Sequence, residues 1–173
     1  MFIQTKKLNQ YTLDSIWSPE THATCDESFA TGETFTEMLN NYIIPVLENA
    51  NAHRCLTFPF TVIQELEKAA MRRDSLVLSF GARQRLVVLS DLLDKRLIYV
   101  SGKPYETPAA RVILKTVKHL SSKAIIVFTE DEKLIDALKS TYASMDKVQK
   151  HPLHLIKTGS KIIESLYENE PSQ

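Results

Sequence analysis

The run Ala124-Ile-Ile-Val-Phe128 limits this chain more than any other segment. It is apolar at every position and too short for a buried helix. A strand without polar alternation has to be covered on both faces, as the inner strands of parallel sheets are. A parallel sheet needs crossover segments, and the surrounding sequence supplies them as amphipathic helices. Thr129-x-x-Glu132 opens a helix through Leu134, Ile135 and Leu138. Thr107-Pro108 opens another through Val112, Ile113 and Val117, with proline at a first helical position where its missing N–H costs nothing.

The same alternation extends in both directions. Thr34-x-x-Glu37 starts a helix through Phe35, Met38, Leu39, Tyr42, Ile43, Val46 and Leu47, kinked or shortened at Pro45. Cys55 to Phe60 reads as a strand, and Thr61-x-x-Gln64 caps the helix after it. Residues 75–95 read as a long helix with Leu76, Phe80, Val87 and Leu89 toward the core, leading into a strand at Leu97–Val100. Leu153–Ile156 gives a last strand, and Ile162, Ile163 and Leu166 a last helix. The expected fold class is α/β, a central parallel sheet with helices on both faces. Residues 1–21 read as a poorly legible N-terminal extension, 22–168 as the domain and 169–173 as a polar tail.

Composition removes several functions. The chain has 173 residues and four glycines, Gly32, Gly81, Gly102 and Gly159, so neither a G-x-G-x-x-G turn nor a Walker-type phosphate loop is present. No run of ~20 apolar residues and no signal peptide is evident, and Cys25 and Cys55 read as free thiols of an intracellular protein. His22-x-x-Cys25 and His53-x-Cys55 depart from usual zinc-ligand spacings and fit better as packing residues. Net charge is zero, but residues 64–118 carry eleven basic and six acidic side chains. Lys68, Arg72, Arg73, Arg83, Arg85, Lys103 and Arg111 lie in that basic middle, where phosphate contacts would give salt-sensitive nucleic-acid binding.

Ligands of open α/β sheets collect at the carboxyl ends of the strands. Carboxylates recur there: Asp26 after His22–Cys25, Glu65 in the helix after the Cys55 strand, Glu106 after the Leu97 strand, and Glu130 and Asp131 directly after Phe128. Clustered carboxylates repel one another unless a cation lies between them, so such a rim suits a hard cation, Mg2+ or Mn2+, that could activate a water for phosphodiester hydrolysis. Acids in a first helical turn also favour the helix dipole without any catalytic role. Glu37 and Glu132 are explained in that way.

Asp26-Glu-Ser-Phe29, Phe58-Pro-Phe-Thr-Val-Ile-Gln-Glu-Leu-Glu-Lys68 and Val127-Phe-Thr-Glu-Asp-Glu-Lys-Leu134 together resemble the PIN-domain nucleases over about residues 22–168. The likeness is to the larger kind found in RNA surveillance and transcription-coupled RNA cleavage. It implies a divalent-metal-dependent endoribonuclease acting on single-stranded RNA, with Asp26, Glu65 and Asp131 as metal ligands and Glu130 or Glu106 assisting. The family usually carries a further Asp near the start of the helix after the third strand, where this chain reads Pro108-Ala-Ala-Arg-Val-Ile-Leu114. Fewer carboxylates mean weaker cation binding. The alternative implied is a catalytically inactive PIN-like module, an RNA-associated scaffold that binds a protein partner or a second copy of itself. Tyr11–Trp17 is a rival first strand that would put Asp14 in the place of Asp26; the 39 residues from Asp26 to Glu65 suit one helix and one strand better than the 51 from Asp14.

Overall fold

A computed structural model describes residues 1–49, 53–103, 108–119, 123–146 and 150–170. Among the described residues, seven strands, numbered in chain order, form one sheet in the order β1-β7-β6-β5-β2-β3-β4. Strands β2 (His22–Cys25), β3 (Leu56–Pro59), β4 (Ile98–Ser101), β5 (Ile125–Thr129) and β6 (Leu153–Lys157) run parallel, while β7 (Ile162–Tyr167) is antiparallel to β6 and β1 (Phe2–Lys7) is antiparallel to β7. The Ala124–Phe128 run behaves as its composition requires. As β5 it is the middle strand, and all five of its residues are buried.

Connections leave the boundary between β2 and β5 in opposite directions. From β2 the chain moves through α2 (Glu27–Thr31), α3 (Phe35–Met38), a wide π turn (Leu39–Ile43) and α4 (Ile44–Leu47) to β3 on one side. From β3 it passes through α5 (Phe60–Ala70) and α6 (Leu76–Asp94) to β4, and α7 (Ala109–His119) returns it to β5. From β5 it moves away through α8 (Glu132–Ser144) to β6. Adjacent parallel strands whose continuations diverge leave a crevice at their carboxyl ends, and that crevice is where open α/β sheets hold ligands.

Several local expectations differ from what is observed: Asp131 rather than Thr129 caps α8, and the Thr34 side chain makes no cap bond to α3, its hydroxyl turning to Glu130 instead. Ile162–Tyr167 is a strand, because it follows a short reversal at Thr158–Lys161, opens on two β-branched residues and pairs with β6 over Ile162–Leu166 and with β1 along its whole length. Tyr11–Trp17 forms no strand; Gln10–Ile16 is helix α1, started by an Asn9–Thr12 capping box. Thr61 does not cap α5, which begins one residue earlier after Pro59, and its hydroxyl is buried without a partner. At Pro45 the helix changes type: the π turn ends just before it, and Pro45 falls in the first turn of the short α4, where a missing N–H is tolerated.

The long helix α6 turns a different face inward from the one its large apolar residues suggest. Leu76, Phe80 and Val87 are 82%, 64% and 70% exposed, while Ser79, Ala82, Leu89 and Leu92 are buried. Small residues allow α6 to lie close on α5, and the Ser79 hydroxyl donates to the Ala70 carbonyl at 2.6 Å. Residues 1–21 contribute β1 and α1, and Leu8, Leu13 and Trp17 belong to the core. No helix among the described residues is long and apolar enough to cross a membrane.

Candidate functional site

The crevice between β2 and β5 is built from residues on both strands. Parallel pairing sets Cys25 beside Phe128, and the Asp26 N–H donates to the Phe128 carbonyl, so Asp26 emerges next to Thr129. Asp26 is the N-cap of α2 and only 3% exposed. One carboxylate oxygen accepts from the Ser28 hydroxyl at 2.7 Å and from the Phe29 N–H at 3.2 Å; the other accepts from the Thr129 hydroxyl at 2.7 Å. Burial raises the Asp26 pKa above the ordinary aspartate value, the three donors pull it down in part, and neighbouring Glu27 pushes it up further.

Two hydroxyls join the strand ends. Thr129, fully buried, donates to Asp26 and accepts the Asp131 N–H at 3.0 Å. Ser28 donates to Asp26 and accepts the Glu130 N–H at 2.8 Å. Glu130 and Asp131 are thereby aimed in different directions. Asp131 caps α8, accepting from the Lys133 and Leu134 N–H groups. Glu130 accepts from the Thr34 hydroxyl at 2.9 Å and the Thr158 hydroxyl at 3.3 Å. Glu27 accepts the Ala109 N–H at 3.1 Å, so it satisfies an orphan donor at the start of α7. None of Asp26, Glu27, Glu130 and Asp131 forms a salt bridge with a described residue.

Arg85 is the cation nearest in function to this pole. It donates to the Ala30 carbonyl at 2.7 Å and lies over the Phe35 ring at 5.1 Å. Burial lowers its pKa, and the Glu130 charge acts against that shift.

The other expected residues fall elsewhere. Glu65 pairs with Lys68 at 3.2 Å and lines a groove of about 600 Å³ between α5 and α6, together with Arg72, Arg85 and Thr31. Arg72 grips Asp74 through two hydrogen bonds. Arg73, Lys103 and Arg111 are exposed and outside that groove. Asp14 lies on α1, paired with Arg54, and ends no strand. Glu106 lies outside the described residues. Among the described residues, no three His, Cys, Asp or Glu side chains converge closely enough to hold one metal ion, and this includes the His22, Cys25, His53 and Cys55 set.

Sequence reasoning missed Glu27, Ser28 and Thr129 as participants, and it placed Arg85 in the basic middle segment without linking it to this pole. The local signals were an Asp-x-Ser step after β2 and a Thr before the acidic pair after β5. Arg85 carries no such signal, because it reaches the pole from a different helix.

No family model matches the chain, and no curated protein matches it. Among solved structures it is similar to the PIN domain endonuclease Utp24, with a TM-score of 0.50 and 17% identity over 84% of this chain and 91% of that one. At that identity the likeness concerns the fold, and the fold is PIN-like.

Proposed function

We propose that this chain acts on RNA as a PIN-like nuclease domain that hydrolyses phosphodiester bonds of single-stranded RNA at the pole shared by β2 and β5. One observation carries the reading. A buried carboxylate, Asp26, is held by three donors at the sheet's switch point, with Glu27, Glu130 and Asp131 around it and no basic partner among the described residues. Burying a carboxylate without a counter-charge is costly, and the cap of α2 and the three donors offset that cost only in part, since the Asp26 pKa stays raised. A site that recruits a cation or a substrate proton gives it a use.

The donor set consists of carboxylate oxygens, the chemistry preferred by magnesium and manganese. Asp26 and Asp131, the ligands that the family resemblance implies, do not converge with a third carboxylate on one point among the described residues, so the arrangement as it stands does not form a closed cation site. Glu65 lines the groove that Arg85 joins to this pole, and Glu106 is the remaining expected ligand. The chain's own residues orient the site. Ser28 and Thr129 fix both oxygens of Asp26, while Arg85 offers a positive charge to a phosphate approaching Glu130.

A second reading has an observation of its own. Asp26 already accepts from three donors, and the first turn of α7 presents Ala109 and Ala110 in place of an acid. A domain arranged in this way would bind RNA without cutting it. Cleavage of an end-labelled single-stranded RNA in manganese by wild type and Asp131→Asn separates the two, because asparagine caps α8 as well as aspartate does. Cutting that disappears in the variant supports the nuclease; RNA binding with no cutting by either protein supports the second reading.

A further inference from the structure

Helix α6 has a glycine in its interior that nothing inside the protein requires. Gly81 sits in a 19-residue helix, where glycine is less stable than alanine, and a Cβ built on it would meet nothing within 4 Å. Its backbone is therefore open to something outside the chain. Two grooves flank it. One, of about 600 Å³, is the cationic groove with Lys68, Arg72 and Arg85; the other, of about 810 Å³, runs between α6 and the Phe35–Asn40 segment and carries Phe80, Val87, Val88 and Arg83. Gly81 and Arg85 line both.

We infer that single-stranded RNA crosses α6 at Gly81, its phosphates following Lys68, Arg72 and Arg85 and its bases lying against Phe80. This deepens the nuclease reading and rests on it for the identity of the ligand. Charge complementarity argues for a polyanion: the combined lining holds Lys68, Arg72, Arg83 and Arg85 against one carboxylate, Glu65, and although Lys68 pairs with Glu65 and Arg72 with Asp74 at the rim, Arg83 and Arg85 form no ion pair with a described residue. Unpaired bases argue for a single strand. Phe80 is 64% exposed beside Val87 at 70%, an apolar platform that suits a base face and that a duplex, with its bases stacked inside, would not use. Arg85 ties the crossing to the acidic pole through Ala30 and its proximity to Glu130.

The experiment is fluorescence anisotropy with a labelled oligouridylate, over a salt series, alongside cleavage and sedimentation measurements. Gly81→Leu fills the crossing at a position with no internal neighbour, so it should fold at least as stably as wild type and bind at least about tenfold more weakly. Phe80→Ser should weaken binding by about 5- to 160-fold, the range for loss of one base–aromatic stack. Arg72→Gln should reduce the salt slope by about 0.7, as for one lost phosphate contact on a single strand. Wild-type affinity in both Gly81→Leu and Phe80→Ser overturns the inference. So does a dimer of the wild type that these variants dissociate while RNA affinity holds, because the face would then belong to a second copy. Strong, variant-sensitive binding without cleavage would sink the nuclease reading and leave this one standing. Cleavage indifferent to both variants would do the reverse, and no binding by wild type would end both.

Discussion

Gly32 and Glu130 fit together without room for another carbon: a Cβ on Gly32 would lie 2.8 Å from each carboxylate oxygen of Glu130 and 2.7 Å from the Ser28 carbonyl. The glycine has an ordinary φ of −72°, so space rather than backbone conformation demands it. Gly32→Ala should therefore destabilise the protein by about 1–3 kcal/mol, as overpacking does, and displace Glu130 from Thr34 and Thr158. Urea unfolding checks the first effect. A variant as stable as wild type would show that the crevice yields easily.

Thr129 links the two strand ends through one oxygen. Thr129→Val keeps the shape but leaves an Asp26 oxygen and the Asp131 N–H without their partner, so a loss of about 1–3 kcal/mol is expected. On the nuclease reading, RNA cleavage should fall as well, because Asp26 loses its fixed orientation. Retained stability together with retained cleavage would remove Thr129 from the site.

The raised pKa of Asp26 sets a sign. Between the unfolded aspartate value and the higher folded value, the unfolded state gives up its proton first, so folding weakens as pH rises through that window. Asp26→Asn should gain stability relative to wild type at neutral pH, and the gain should shrink on acidification below the ordinary aspartate range. Denaturant curves at two pH values decide it; a gain that grows toward acid would contradict the shift.

His154 gives the opposite slope. Burial is the main cause that lowers its pKa to about 4, with the Lys6 charge adding, and its Nδ1 lies 2.6 Å from the Ser165 hydroxyl. The folded state keeps the ring neutral while the unfolded chain takes up a proton, so stability should fall as pH drops from about 6.5 toward 4, by at most about 1.4 kcal/mol per unit. His154→Gln should flatten that part of the pH–stability profile. An unchanged slope in the variant would assign the effect to another group.

Legibility in the sequence followed burial. Ala124–Phe128 announced itself because a strand covered on both faces has no polar positions to blur it. Asp26, Glu65, Glu130 and Asp131 were singled out because each follows a strand read from the sequence, and of these Glu65 lies apart, in the groove between α5 and α6. β1 was invisible, since an edge strand whose residues are almost all exposed carries no alternation, and Phe2-Ile-Gln-Thr-Lys-Lys7 reads as loop. α6 misled because its apolar residues lie all round the helix, and Ser79 and Ala82 were passed over for the inward face. The setting of Glu130 could not be read locally: Thr34 stands 96 residues away and Thr158 28 residues away.

The pairing of Phe2–Lys7 with Ile162–Tyr167 joins segments about 160 residues apart in sequence. During synthesis β1 has nothing to bind until β7 has left the ribosome, so this side of the sheet closes only after Tyr167 has been made. Long-range closure of this kind is slow, and until it happens the apolar edge of β6 stays open to strands of other chains. A nascent chain stalled before Ile162 would therefore need shielding by a chaperone more than a completed one does.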